Sequence, residues 1–100
     1  MVVNKKTSVS LHPLKTQKDK LNYIVENEST GDFFEMPEVC IHAIELINQE
    51  KPLEEVEKAL IDRYPYEDID ILNFVTQLLE LKLVSKINTK IFKKNLLRGK

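Results

Sequence analysis

Cys40 and the two histidines, His12 and His42, are the side chains of this sequence best suited to nucleophilic or acid–base catalysis. Cys40 and His42 stand two positions apart in an apolar segment with the pattern of a helix. Side chains at i and i+2 on a helix point about 200° apart, so a Cys40 thiolate and a His42 base could not meet there. We therefore interpret Cys40 as a small apolar side chain of the core rather than as a reactive thiol.

The sequence contains no recognisable binding motif for a metal ion or a phosphate group. A metal site needs three or four clustered cysteine, histidine or carboxylate ligands, and no such spacing is present. Glu54, Glu55 and Glu57 border an apolar helical stripe and are interpreted as a solvated face. Gly31 and Gly99 are too few for a glycine-rich phosphate-binding loop. The sequence predicts a protein that is not an enzyme and has no metal or cofactor.

Length and composition are those of one globular domain. The chain has 100 residues, 42% of them apolar and 31% charged, which is enough for a single core. No apolar run approaches the ~20 residues needed to span a bilayer, and the N-terminal sequence MVVNKKTSVS lacks the apolar block of a signal peptide. A single cysteine excludes an internal disulfide and agrees with a reducing compartment. We expect a cytoplasmic protein without membrane insertion.

The charges are unevenly distributed, although the formal net charge is only −1. Residues 21–80 hold fifteen acidic and three basic side chains, whereas residues 1–20 hold five lysines and one aspartate. From residue 82 onward there are seven basic side chains and no acidic one. An acidic body repels phosphate, and basic ends either attract anionic surfaces or keep terminal segments soluble. We interpret them as solvated tails.

The elements that would position a site begin with a predicted β-hairpin. Two β-rich segments, Leu21–Val25 and Asp32–Met36, flank the turn-forming sequence NESTG. Val9–Leu11 is predicted to be a further short strand, residues 1–8 a flexible N-terminus, and Lys15–Lys20 a basic loop. Strands this short need helices against one face.

Strand alternation assigns a face to each side chain of the second hairpin strand. Phe34 and Met36 point to one face, and Phe33 and Glu35 to the other. We predict that the first pair faces the core.

Three helices are predicted after the hairpin. The first begins at Pro37, the second lies between Pro52 and Pro65, and the third covers about Ile69–Leu81 with Asp68 as its N-cap. Strands followed by three short helices predict an α+β fold of winged-helix type, with a small antiparallel sheet of two or three strands.

The third predicted helix has a wider apolar arc than one core requires. Its polar side chains gather on a face of about 120°; they are Asp70, Asn73, Thr76, Gln77 and Glu80. Apolar side chains fill roughly half of the circumference, whereas an apolar stripe of about 100° serves a helix that packs on one core. Phe74 and Leu81 border one edge of this arc and Leu72 and Leu79 border the other, and either edge could contact something besides the core. A fully buried last helix is the alternative interpretation.

A helix-turn-helix interpretation would make the protein a DNA-binding domain, but the charges argue against it. A recognition helix carries Arg, Lys, Asn or Gln toward bases and phosphates. The third helix instead displays Asp70, Asn73, Gln77 and Glu80, with Lys82 only at its end. Phosphate contacts supply most of the affinity for DNA, which an acidic body would oppose. We expect no nucleic acid, and a winged-helix DNA-binding or transcription-regulating domain remains the alternative.

A series of motifs follows in order along roughly residues 8–87. They are a turn ending in Thr-Gly, an aromatic pair with a hydrophobic residue two places on, an acidic helix opening, and a patterned third helix before a final Leu-Val: Thr30–Gly31, Phe33–Phe34, Met36, Leu53–Val56, Asp70–Ile71, Phe74–Val75, Leu78 and Leu83–Val84. In order and spacing they resemble the PqqD-like family, also called RiPP recognition elements. The sequence departs from the family pattern at Lys82, where glycine is usual, and at Met36, where leucine is usual.

The resemblance implies a non-catalytic module that binds the leader segment of a ribosomally made precursor peptide. In the family the leader adds as a strand to the edge of the small sheet, and its side chains enter a groove against the last helix. The module presents the peptide to a modifying enzyme such as a radical-SAM protein, a cyclase or a peptidase. It implies a domain at residues 9–87 and leaves residues 88–100 as a basic tail or linker.

An edge strand at Asp32–Met36 agrees with this function, because its free main-chain groups can accept an added strand. The predicted peptide-binding residues are Gly31, Asp32, Phe33, Phe34, Glu35 and Met36 of the hairpin, with Asp70, Asn73, Phe74, Gln77, Leu78 and Leu81 of the last helix. Core packing is the alternative for each apolar member, and it is the preferred interpretation for Leu78. A homodimer through the same edge strand is left open.

Overall fold

Four strands, three helices and a final strand follow one another in the computed structural model, which describes residues 3–89. The strands are β1 (Thr7–Leu11), β2 (Leu14–Asp19), β3 (Asn22–Asn27), β4 (Phe33–Pro37) and β5 (Val84–Thr89), and the helices are α1 (Glu38–Ile47), α2 (Leu53–Arg63) and α3 (Ile71–Glu80). This is the predicted α+β arrangement of winged-helix type. The backbone of Asn88 and Thr89 ends β5, and the rest of the predicted basic tail lies outside the described residues.

Strands β2, β3 and β4 form an antiparallel sheet in which β4 is an edge strand. Across it, Val25 of β3 pairs with Phe34, and both side chains are directed toward the core. Met36 is also buried, whereas Phe33 is 65% exposed and Glu35 lies in solvent. The predicted division of the strand into a core face and an outer face is confirmed.

Strand β2 was predicted to be a loop, and this prediction is wrong. Leu14 through Asp19 pair with β3 in continuous register, and a two-residue connection at Lys20 and Leu21 closes the hairpin. Lys20 has a φ of 58°, the left-handed conformation that tight hairpin turns use. β2 shows no hydrophobic periodicity because all of its side chains after the half-buried Leu14 are exposed. Main-chain pairing rather than apolar burial therefore defines this strand.

A second sheet joins the two ends of the described chain. Strand β1 pairs antiparallel with β5, from Thr7 with Thr89 to Leu11 with Val84. β1 begins two residues earlier than predicted, and the side chains of Thr7 and Ser8 are buried. Because Thr7 and Ser8 are polar, the apolar periodicity of the sequence does not indicate their burial. The buried Thr7 hydroxyl donates a hydrogen bond to the Asn4 side chain at 3.2 Å.

The core lies between the three helices and the inner faces of the strands. Its fully buried larger side chains come from every layer: Val9, Val25, Ile47, Leu53, Val56, Ile71, Val75, Leu78 and Leu83. Pro37 and Pro52 occupy the N-cap positions of α1 and α2, in agreement with the predicted helix starts. Among the described residues, no helix combines the length and apolarity that a membrane crossing requires.

Helix α3 begins at Ile71 and is capped by Asp70, not by the predicted Asp68. The Asn73 amide donates to the Asp70 side chain at 3.1 Å, and the Ile71 amide donates to the Glu57 carboxylate of α2 at 3.3 Å. The tertiary contact to Glu57 and the burial of Ile71 place the helix start two residues later than the local pattern predicted.

Candidate functional site

A groove of about 460 Å³ lies between the edge strand β4 and helix α3. All five residues of β4 line it, together with Cys40 of α1 and, from α3 and its C-terminus, Phe74, Gln77, Leu78 and Leu81. We call it the β4–α3 groove. Eight of the twelve predicted peptide-binding residues line it, and they come from two segments that are more than thirty residues apart in the sequence.

The side chains of the groove divide into a floor and an accessible wall. Leu78 is fully buried and Met36 is 6% exposed, so they form the floor. Core packing, the preferred interpretation for Leu78, is confirmed. Phe74 and Leu81 are half-buried and Phe33 is exposed, which leaves these three side chains able to contact a ligand. One edge of the apolar arc on α3, at Phe74 and Leu81, thus lies against the groove, whereas Leu79 on the other edge lines a depression beside β5.

A smaller pocket of about 190 Å³ adjoins the groove at the N-terminal end of α3. Cys40, Phe74 and Gln77 line both depressions, so they share one wall. We call this smaller depression the α1–α3 pocket. The α1–α3 pocket contains Asp70 and Asn73, the two predicted peptide-binding residues near the start of α3 that do not line the groove.

Gly31 and Asp32, the remaining predicted residues, belong to the turn before β4. Gly31 has a φ of 82°, and its amide donates to the Asn27 carbonyl at 2.7 Å. The Asp32 amide donates to the Thr30 hydroxyl at 3.2 Å, and its carbonyl accepts from the Asn27 amide at 2.9 Å. Because these main-chain groups are already paired, the part of the predicted strand that is open to a ligand begins at Phe33.

The register of the sheet decides which main-chain groups of β4 face outward. Asn27 and Asp32 form a hydrogen-bonded pair, and such pairs alternate along an antiparallel ladder. Phe34, two residues beyond Asp32, therefore directs its N–H and C=O toward β3. The N–H and C=O of Phe33 and Glu35 point to the open edge, where a further strand could bind them.

Cys40 and His42 occupy different depressions, as their helical spacing predicted. Cys40 lines the β4–α3 groove, whereas His42 lines a depression between α1 and α2. There the His42 Nδ1 atom is hydrogen-bonded to the Tyr64 hydroxyl. Burial raises the pKa of the Cys40 thiol and so disfavours the thiolate. The described residues contain no cluster of three or more potential metal ligands.

The contribution of helix α1 to the site was missed. Cys40 was assigned to the core, but it is half-buried and lines both depressions, while Val39 and Ala43 line the α1–α3 pocket. Pro37 also lines the groove. The signal that could have indicated α1 is that it is apolar over more of its surface than one core contact requires.

In comparisons with known proteins, no family model, curated protein or solved structure matches the chain.

Proposed function

We propose that this protein is a PqqD-like, non-catalytic module that binds the leader segment of a ribosomally made precursor peptide. The observation that carries the proposal is the position of the open edge of β4 directly beside an apolar groove. Strand addition needs free main-chain groups for affinity and neighbouring side-chain pockets for specificity. Both requirements are met in one place, by residues from β4 and α3.

The proposed complex has a defined arrangement. A leader strand pairs with the outward main-chain groups of Phe33 and Glu35. Its residue opposite Phe34 then shares that residue's face of the sheet and enters the groove against Phe74 and Leu81. The flanking leader residues lie on the outer face beside Phe33 and Glu35.

The conformation of Lys82 supports the resemblance to the PqqD-like family. Lys82 stands where the family pattern has glycine, and its φ is 63°. Glycine adopts this left-handed conformation without the steric cost that a side chain brings. The family preference thus coincides with a position that demands a positive φ in this chain, where α3 ends and the connection to Leu83 begins.

In the proposed function the module hands its bound peptide to a modifying or processing enzyme such as a radical-SAM protein, a cyclase or a peptidase. We place this step in the cytoplasm, where ribosomally made peptides emerge and where a single cysteine stays reduced. The proposal assigns all chemistry to the partner enzyme and only binding to this chain.

An NMR titration of the isotope-labelled protein with the small peptides encoded beside its gene tests the proposal. We expect saturable shifts confined to residues 33–37 and 70–81 with one of these peptides, and none with a scrambled peptide of the same composition. A sedimentation measurement at the same concentration identifies shifts that come from pairing of two copies through β4. The absence of a saturable response to every encoded peptide would contradict the proposal.

Binding of DNA is the second candidate function, and one observation favours it. The β2–β3 hairpin presents Lys15, Lys18 and Lys20 to solvent, as a basic wing would. In this case duplex DNA of random sequence would bind at low salt and dissociate by about 200 mM salt. Removal of residues 88–100 would weaken the binding, and the resonances of β4 would not respond.

A further inference from the structure

The walls of the groove carry charges of one sign. Residues 21–50, which include β3, β4 and α1, contain no lysine or arginine, and neither do residues 64–81, which include α3. The exposed acids that line the two depressions are Glu35 in the groove and Asp68 and Asp70 in the α1–α3 pocket. In sequence, Lys20 and Lys51 bound the first of these ranges, and Arg63 and Lys82 bound the second.

None of these carboxylates forms an ion pair among the described residues, although Lys5, which pairs with Glu57, also attracts Asp70 at longer range. Glu35 accepts a hydrogen bond from the neutral Asn22 side chain at 3.1 Å, and Asp70 accepts the capping bond from a main-chain amide. The two ion pairs in the described part of the chain join Lys5 to Glu57 and Lys6 to Glu54, which lie on α2. The charge of the groove is therefore available to a ligand.

We infer that the peptide recognised by the β4–α3 groove is cationic, with lysine or arginine alternating with large apolar residues. The inference rests on the proposed function and specifies its substrate class. In an added strand, the residue opposite Glu35 lies on the same face as this carboxylate, where opposite charges attract and like charges repel across strands. The neighbouring residue, opposite Phe34, enters the apolar groove. Asp68 and Asp70, in the adjoining α1–α3 pocket, add to the negative potential that a cationic peptide meets.

The charge complementarity predicts a ranking of simple probes. Labelled synthetic peptides of the pattern X-Leu-X-Phe-X, with lysine, serine or glutamate at every X, share their apolar residues and differ only in charge. We expect the full chain to bind the lysine peptide roughly tenfold more tightly than the serine peptide, and the glutamate peptide most weakly, in fluorescence anisotropy at low salt. The preference should shrink as the salt concentration rises, because exposed charges are screened.

A pair of variants separates a local contact from general attraction to an acidic protein. Glu35→Lys should remove most of the preference for the lysine peptide. Glu45→Lys makes the same change of net charge on the exposed side of α1, in the α1–α2 depression, and should preserve the preference. An equal loss of preference in both variants would overturn the inference, as would equal or tighter binding of the serine or glutamate peptide.

Failure of this inference is distinguishable from failure of the proposed function. If an encoded peptide shifts the resonances of β4 and α3 but the lysine peptide binds no more tightly than the serine peptide, peptide binding stands and its cationic specificity is wrong.

The chain's own residues 90–100 are basic and contain Ile91, Phe92, Leu96 and Leu97. If deleting residues 90–100 raises the affinity for the lysine peptide about tenfold, this segment occupies the groove, and the inference of a separate peptide is overturned. Unchanged affinity after the deletion supports a separate peptide as the occupant.

Discussion

Phe34 of β4 pairs with Val25 of β3, and this register turns the main chain of Phe34 inward and that of its two neighbours outward. The same alternation directs the Phe34 side chain toward the core and leaves Phe33 and Glu35 on the outer face. One short strand therefore has an inner side that stabilises the fold and an open edge that can bind a partner.

Proline at position 35 tests the open edge directly. Glu35→Pro removes an N–H that points away from β3, so the sheet should keep its stability, because edge strands tolerate proline where the N–H faces solvent. Peptide affinity should fall about tenfold, since one intermolecular hydrogen bond is lost and the ring obstructs the incoming strand. Calorimetric titration with the encoded peptide measures this effect. Glu35→Ala keeps the N–H, and a loss of equal size in that control would disprove main-chain pairing at this residue.

Leu78 and Leu81 should separate stability from binding. Leu78→Ala removes a fully buried side chain and should lower the free energy of unfolding by about 2–5 kcal/mol. Leu81→Ala removes a half-buried side chain of the groove wall and should cost only about 1 kcal/mol while weakening peptide binding. Urea denaturation and calorimetric titration measure the two effects. Equal destabilisation by both variants would assign Leu81 to the core as well.

Asp70→Ala should lower the free energy of unfolding by about 1 kcal/mol, because it removes the side chain that accepts the Asn73 amide at the start of α3. Asp68→Ala is the matched control, since it makes the same chemical change two residues earlier and should stay within about 0.5 kcal/mol of the wild type. Thermal and urea unfolding provide the comparison. A larger effect at Asp68 would restore it as the cap.

Lys82→Gly should stabilise the protein by about 1 kcal/mol, because glycine adopts the positive φ at the end of α3 without steric cost. Lys82→Ala removes the same charge but keeps a Cβ, so it should show no such gain. Urea denaturation of the three proteins measures the difference. A gain shared by the alanine variant would point to the lost charge rather than to the backbone.

The raised pKa of Cys40 predicts a loss of stability at high pH. Burial disfavours the thiolate, so the folded protein retains this proton to a higher pH than the unfolded chain does. The stabilising contribution is complete below the unfolded thiol's pKa of about 8.5 and is lost as the pH rises through the folded value. Compared with Cys40→Ala, the wild type should therefore lose stability more steeply above about pH 8.5 in urea denaturation. Parallel curves for the two proteins would contradict this prediction.

Local sequence patterns were sufficient to predict burial and helix starts at positions where a residue's environment follows from its immediate neighbours in the chain. Phe34 and Met36 were assigned to the core by strand alternation, and Pro37 and Pro52 indicated where helices begin. Strand β2 could not be found in this way, because a polar strand exposed on both faces has no hydrophobic period.

By itself, the sequence determined the order and amphipathic faces of the helices and the division of β4 into an inner and an outer face, because burial of apolar side chains has a period that a single segment displays. Only the tertiary structure decided that β1 pairs with β5, that Glu57 bonds the Ile71 amide at the start of α3, and that Cys40 lines the groove. These features depend on main-chain hydrogen bonds and contacts between segments far apart in the chain, which leave no periodic signal in either segment.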